Sequence, residues 1–246
     1  MLKIISIITK FILVALTALL FASCNHSVNF KSIKGSGTVT TEKRAVHGEF
    51  KSVEVSNAID LVIEQSDKKE VIVEADDNLQ QSITTKVENG VLIIGCDYNS
   101  FVNIESKKVI VRMPVIEELS ASSASSVSSI NTLKGENINL RTSSASSMNL
   151  SIKADYISTK SSSGSTISIS GLALNLKAIA SSGSEINAAD LLVNDVEAKS
   201  SSGASIRLHP IVSLNARASS GSSISYNTIP KSIEKRSSSG GSISHN

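Results

Sequence analysis

The chain lacks tryptophan and holds only three tyrosines and five phenylalanines among 246 residues. After residue 119 the only aromatics are Tyr156 and Tyr226. Outward aromatic platforms of the kind that usually recognise sugars are therefore scarce. Cysteine is scarce too. Cys24 and Cys96 are the only two, which excludes a disulfide framework. Charge of one sign is also missing, with a formal net charge of +2. Residues 1–23 carry Lys3 and Lys10, and without them 22 basic and 22 acidic side chains remain. No basic patch stands out along the chain, so nucleic-acid binding has little electrostatic support. No segment shows a sustained 3.6-residue period, so almost no helix is expected beyond the N-terminus.

What is abundant is serine, and it is ordered in phase. A Ser-Ser-Gly-Ser-like phrase begins at Ser122, Ser143, Ser162, Ser181, Ser201, Ser219 and Ser238, a spacing of 18 to 21 residues. Five residues after each start stands an apolar residue: Val127, Met148, Ile167, Ile186, Ile206, Ile224 and Ile243. A fixed period near 20 marks a solenoid of stacked coils. Low complexity alone would read as a disordered linker, but disorder does not hold aliphatics in phase. Apolar residues two apart, such as Ile138 and Leu140 or Ile206 and Leu208, share one face of a strand. Ile186 is therefore expected to be buried between Ile167 and Ile206, with Asn187 facing out. The serine phrase turns the chain, with Gly supplying positive φ and Ser bonding the local backbone. Leu172, Leu191, Ile211 and Ile229, ten residues after each start, predict a third inward strand in the middle coils. The predicted fold is all-β: a parallel β-helix of about 19-residue coils over 119–246, preceded by irregular strands and hairpins over 48–118.

The N-terminus reads as an address. Two lysines precede an apolar run over 11–22 that is too short to span a bilayer comfortably and suits a signal peptide. Leu-Phe-Ala-Ser-Cys at 20–24 resembles the lipobox of bacterial lipoproteins, which implies a signal over 1–23 and a lipid on Cys24. An ordinary secretory signal with a chance cysteine is the alternative. Residues 24–47 then read as a tether. Cys96 ends an apolar run and reads as a buried small hydrophobe, with no His or Lys near it in sequence.

In the first half, short runs alternate at Val53/Val55, Ile59/Leu61/Ile63 and Val71/Val73. Glu-Asn-Gly at 88–90 between runs 83–87 and 91–96 is a hairpin signal. Gly-Glu-Phe-Lys-Ser-Val-Glu-Val at 48–55 resembles the opening of the head GIN domain, a family of auto-transporter adhesin heads. Asp60 to Gln65, the Asn-Gly hairpin, Val-Arg-Met-Pro at 111–114 and Ser225-Tyr226 with Pro230 continue the likeness over about residues 35–244. One departure is Asn227-Thr228, where relatives often carry Gly, so a different loop is expected there. The resemblance implies a right-handed parallel β-helix, an envelope location and no catalytic residues to carry over.

No nucleophile motif, phosphate loop or metal-ligand cluster is present, and no cofactor is expected. Glu136, Asp155, Glu185, Asp190, Asp195, Glu197, Arg207 and Arg217 read as scattered, sharing no repeat position. His209 beside Pro210 reads as structural. The preferred reading is a non-catalytic, lipid-anchored outer-membrane protein with a rigid binding surface, an adhesin for a glycan or another envelope protein. A structural or assembly component, homo-oligomeric or with another protein at its last coil, is the alternative; a polysaccharide-active enzyme comes third. In that coil Glu234, Lys235, Arg236 and His245 are expected to shield the end or a partner to meet it.

Overall fold

The computed structural model describes Lys10, Ile12, Val14 and residues 31–246. The chain divides into two units, Met1–Lys31 and Ser32–Asn246. In the first, Lys10, Ile12 and Val14 are helical. The second is a parallel β-solenoid of about seven turns with ~19-residue coils.

The N-terminal part contains β1 (Ser32–Lys34), β2 (Val39–Arg44), β3 (Ser52–Val55), β4 (Asp60–Gln65) and β5 (Glu70–Asp76). A short 3-10 turn at Asp77–Ser82 leads to β6 (Ile83–Glu88), β7 (Val91–Cys96), β8 (Ser100–Val102) and β9 (Lys107–Met113). The coils are β10 (Glu118–Ala121), β11 (Ser126–Ser129), β12 (Leu133–Thr142), β13 (Ser147–Ser161), β14 (Thr166–Ala180), β15 (Glu185–Ser200) and β16 (Ser205–Ala218). The last are β17 (Ser223–Tyr226), β18 (Ser232–Ser237) and β19 (Ser242–His245).

Two parallel sheets flank the serine corner. Before it, β7, β3, β10, β12, β13, β14, β15, β16 and β18 stack in register. After it run β9, β4, β11, β13, β14, β15, β16, β17 and β19. Ile167, Ile186, Ile206 and Ile224 form one buried ladder inside the second sheet, each at 1% exposure or less. That is the alternation expected for these positions, and Asn187 is only half-buried.

Every corner is a tight turn with two successive positive-φ residues. In Ser163-Gly164 they are 54° and 68°; in Ser144-Ala145, 53° and 60°. The fourth residue's N–H bonds the first residue's carbonyl, as from Ser165 to Ser162 at 3.3 Å. This is the hairpin-type turn with both central residues left-handed. Glycine is thus not required for the corner, since Ala124 and Ala145 adopt the same φ at a cost of about 1 kcal/mol each. Corners also bond to one another: Ala124 N–H to Ser144 O at 2.9 Å, Gly164 N–H to Ser182 O at 3.1 Å. The fourth serine points inward. Ser146, Ser165, Ser184 and Ser222 are buried, and each hydroxyl accepts the N–H of the first serine of its own phrase at 3.1 Å. The Ser146 and Ser184 hydroxyls donate to carbonyls of the preceding coil, Ala121 and Ser161, both at 2.8 Å. The same stack begins at Asn57-Ala58 (φ 64° and 54°), where Ala58 N–H meets Ser123 O at 2.8 Å. No serine phrase marks that corner in the sequence.

The third face departs from expectation. Leu191 is buried as predicted, but Leu172, Ile211 and Ile229 are 46%, 40% and 71% exposed. In register, Leu191 lies opposite Gly171 and Ile152, whereas Leu172 lies opposite Leu192 and Lys153. The inward column is Leu133, Ile152, Gly171 and Leu191. Bulges between Ser168 and Ser170, and between Ala188 and Leu192, shift the count from the corner. Gly171 has φ +118°, and a Cβ there would lie 2.1 Å from the Ile152 carbonyl oxygen. Gly171→Ala is expected to cost at least about 2 kcal/mol, read as a lower urea midpoint. Gly164→Ala sits in open space at a corner where alanine occurs naturally, and should cost clearly less.

Antiparallel strands cover the N-terminal end. β6 pairs with β7 through the Asn89-Gly90 turn (φ 51° and 79°), as its sequence predicts. β5 pairs with β9, and β2 with β5. The folded unit therefore begins at Ser32, inside the stretch 24–47 read as a tether. The Val-Thr-Thr-Glu-Lys-Arg run of β2 is an edge strand whose faces are mostly polar, so no apolar alternation announces it. Asp76, fully buried, ties this end together. Its carboxylate accepts N–H bonds from Gly37 (3.1 Å), Glu105 (3.0 Å) and Ser106 (2.9 Å).

Candidate binding surfaces

The inward residues leave every second position facing solvent, and stacking turns those positions into columns. The position two before each phrase is one of them. In register it reads Ser120, Arg141, Lys160, Ile179, Lys199, Arg217 and Arg236. Coils repeat at ~4.8 Å, so five cations, with Ile179 among them, stand on one line about 24 Å long. The reading of scattered charges and no basic patch is corrected by this column. Its signal is in the sequence, at a fixed offset from the serine phrase, though only Arg217 and Arg236 of the five are among the charged residues singled out above. Arg141 pairs with Glu118 (3.1 Å), Lys199 with Glu197 (2.7 Å) and Arg236 with Glu234 (2.7 Å). Among the described residues, Lys160 and Arg217 form no ion pair. Beside the column run two open grooves. One of about 450 Å³ is lined by Lys199, Arg217, Arg236 and the serines Ser201, Ser219 and Ser238. The other, about 210 Å³, is lined by Arg141, Lys160, Ser143 and Ser162.

The third face carries the opposite chemistry. Its outward column reads Lys134, Lys153, Leu172, Leu192 and His209. Ala154 and Ala173 form a small-residue floor beside it. Leu174, Leu192 and Ile211 complete an open groove of about 550 Å³, with Lys134 and Lys153 at one end. Leu172 faces outward by plain alternation from Ile167 and Ile169, and the groove forms around it.

The residues singled out from sequence sit apart. Cys24, with the segment leading to it, lies outside the described residues. Cys96 is half-buried, and burial pushes its thiol pKa up. Contrary to its sequence neighbourhood, a lysine is close: Lys107 acts on it electrostatically. Lys107 itself is buried, lies 3.2 Å from the Phe101 ring centroid and donates to Asn57 O at 3.1 Å. Burial lowers its pKa. With the thiol protonated, this pair offers no activated nucleophile. His209 places Nδ1 3.1 Å from the Ala189 carbonyl, a bridge between coils that fits the structural reading. Asn227 bonds the same carbonyl at 3.1 Å. No group of three His, Cys, Asp or Glu among the described residues is placed to hold a metal. No helix among them is long and apolar enough to cross a membrane.

The chain is similar in fold to solved structures of bacterial proteins. A crystal structure of a putative adhesin from Bacteroides fragilis superimposes with a TM-score of 0.81 at 20% identity, covering 87% of this chain and 100% of that one. A putative lipid binding protein from Parabacteroides distasonis gives 0.71 at 21% identity, covering 88% and 100%. A putative adhesin from Parabacteroides merdae gives 0.69 at 20% identity, covering 87% and 99%. At these identities the likeness is one of fold. No curated protein sequence matches the chain. A family match is found over residues 49–230, narrower than the likeness read from the motifs, from just before β3 to just before β18. The chain belongs to the family described as putative auto-transporter adhesin, head GIN domain.

Proposed function

We propose that this is a non-catalytic binding protein of the bacterial envelope, anchored to the outer membrane by lipid on Cys24. It presents the outward columns of a rigid solenoid to ligands. The observation that carries this reading is the serine-rich repeat itself. Each coil uses its serines to close its own corner, and what varies on the outside is charge. Catalysis needs convergent acid, base or nucleophile groups. The serine hydroxyls inside are committed to backbone bonds. An adhesin-like family agrees with a cell-surface or envelope location.

The anchor is tested by fractionation. Cys24→Ser should move the protein from the membrane to the soluble fraction. Retention at the wild-type level would argue against lipidation. Stable attachment calls for more than one acyl chain, since one binds only marginally. Protease treatment of intact cells then separates an outward-facing protein from a periplasmic one.

A second reading is favoured by the third-face groove. Its aliphatic walls and terminal lysines suit an amphiphile, and one structural neighbour bears the name lipid binding protein. Uptake of an environment-sensitive fluorescent fatty acid distinguishes this reading from the first.

A further inference from the structure

We propose that the cation column is the binding site for a linear anionic polysaccharide, lying along the solenoid axis with one acidic group near each coil. This rests on the reading of the protein as an envelope binding protein and names its ligand class. Like charges directly opposite on neighbouring strands destabilise a sheet. Lys199, Arg217 and Arg236 stack on three consecutive coils, and Arg141 and Lys160 on two more. The three glutamates beside them are partly exposed, with side chains 32%, 43% and 50% accessible, and such surface pairs contribute little. Lys160 and Arg217 form no ion pair of their own among the described residues, although Glu197, already paired with Lys199, acts on Arg217 at longer range. A polyanion relieves this repulsion along its whole length.

The shape agrees with an extended chain. The column is straight because continuous main-chain ladders hold its residues in register. Its spacing of ~4.8 Å is about the length of one sugar ring in an extended polymer. Small residues Ala180, Ser200 and Ala218 sit between the column and the corner, and Ile179 is the one bulky apolar side chain in the lining. Ser201, Ser219 and Ser238 line it too, as Ser143 and Ser162 line the smaller groove, and their hydroxyls match those of a sugar. The scarcity of aromatics, which weighs against neutral glycans, does not weigh against acidic ones, because charge does the holding. It does weigh against single-stranded nucleic acid, which needs aromatic faces for its bases. No aromatic residue lines either groove. A rigid, preformed column loses little entropy on binding.

The test is titration calorimetry of the purified protein with polygalacturonate long enough to span the five cations. Dextran serves as the neutral glycan and oligothymidylate as the non-glycan polyanion. Wild type should bind polygalacturonate, lose affinity as salt rises, and ignore dextran. The double variant Lys160→Glu/Arg217→Glu alters two exposed, outward residues and should melt like wild type. It should bind polygalacturonate at least about 10-fold more weakly. Lys134→Glu/Lys153→Glu on the third face should bind as wild type does. Absence of wild-type binding overturns the inference. So does equal loss in both double variants, or oligothymidylate binding as tight as polygalacturonate. A negative titration beside normal membrane attachment and surface exposure overturns only this inference. The envelope reading falls on fractionation and protease results instead.

Discussion

Ile186→Asp should lower stability by at least about 4 kcal/mol, whereas Asn187→Asp should change it by less than about 0.5. Ile186 is fully buried between Ile167 and Ile206, and no cation faces that ladder. The new carboxylate must either stay charged in an apolar interior or take up a proton at a large cost. Asn187, one residue on, faces outward and accepts the Ala189 N–H through Oδ1 at 3.2 Å, a bond that aspartate retains. Because each coil is held by its neighbours, a lesion here separates the coils on either side. Thermal unfolding of both variants checks this. Equal melting temperatures would mean that the inward and outward register is wrong.

Asp76 carries the second large effect. Asp76→Ala leaves the N–H groups of Gly37, Glu105 and Ser106 without their acceptor, at a cost of about 3 kcal/mol or more. Burial pushes the Asp76 pKa up, but the bonds from Ser106, Gly37 and Glu105 outweigh it and leave it below the usual value. A carboxyl with a depressed native pKa adds stability that is complete above its unfolded value of about 3.9. That stability is lost as pH falls through the lower native value. Glu70, held down by Lys43 and Arg112, and Glu74, held down by Lys108, change in the same direction. Wild type should therefore lose stability below about pH 4. The gap between wild type and Asp76→Asn should be full at pH 7 and shrink as the pH is lowered into that range. Urea titrations at both pH values read this out. A gap that is independent of pH would show that the ionised carboxylate is not what holds this end. A side chain at Gly35 would crowd this cluster, because a Cβ there would lie 2.4 Å from both Asp76 Oδ2 and the Asn103 carbonyl oxygen.

The seven serine phrases and the aliphatic five residues after each are enough to specify stacked coils, their length and the facing of Ile186. These follow from the sequence alone because they depend only on neighbours along the chain: strand alternation, and a turn that suits small polar residues. The Asn89-Gly90 hairpin was legible for the same reason. The cation column was legible too, as a fixed offset, though it only acquires meaning once the coils are stacked. Tertiary structure decided the rest. That Leu191 faces inward at the offset where Leu172 faces outward depends on bulges that shift one coil against the next, and no offset from the corner records them. That β2 closes the N-terminal end depends on pairing with β5, far along the chain, rather than on any apolar pattern of its own. Asp76 reads as one more acidic residue until two distant segments, at Gly37 and at Glu105-Ser106, bring their N–H groups to it, and Lys107 reaches Cys96 only through the fold. Local periodicity determined the coil, and long-range register determined what its surface, its groove and its closed end are made of.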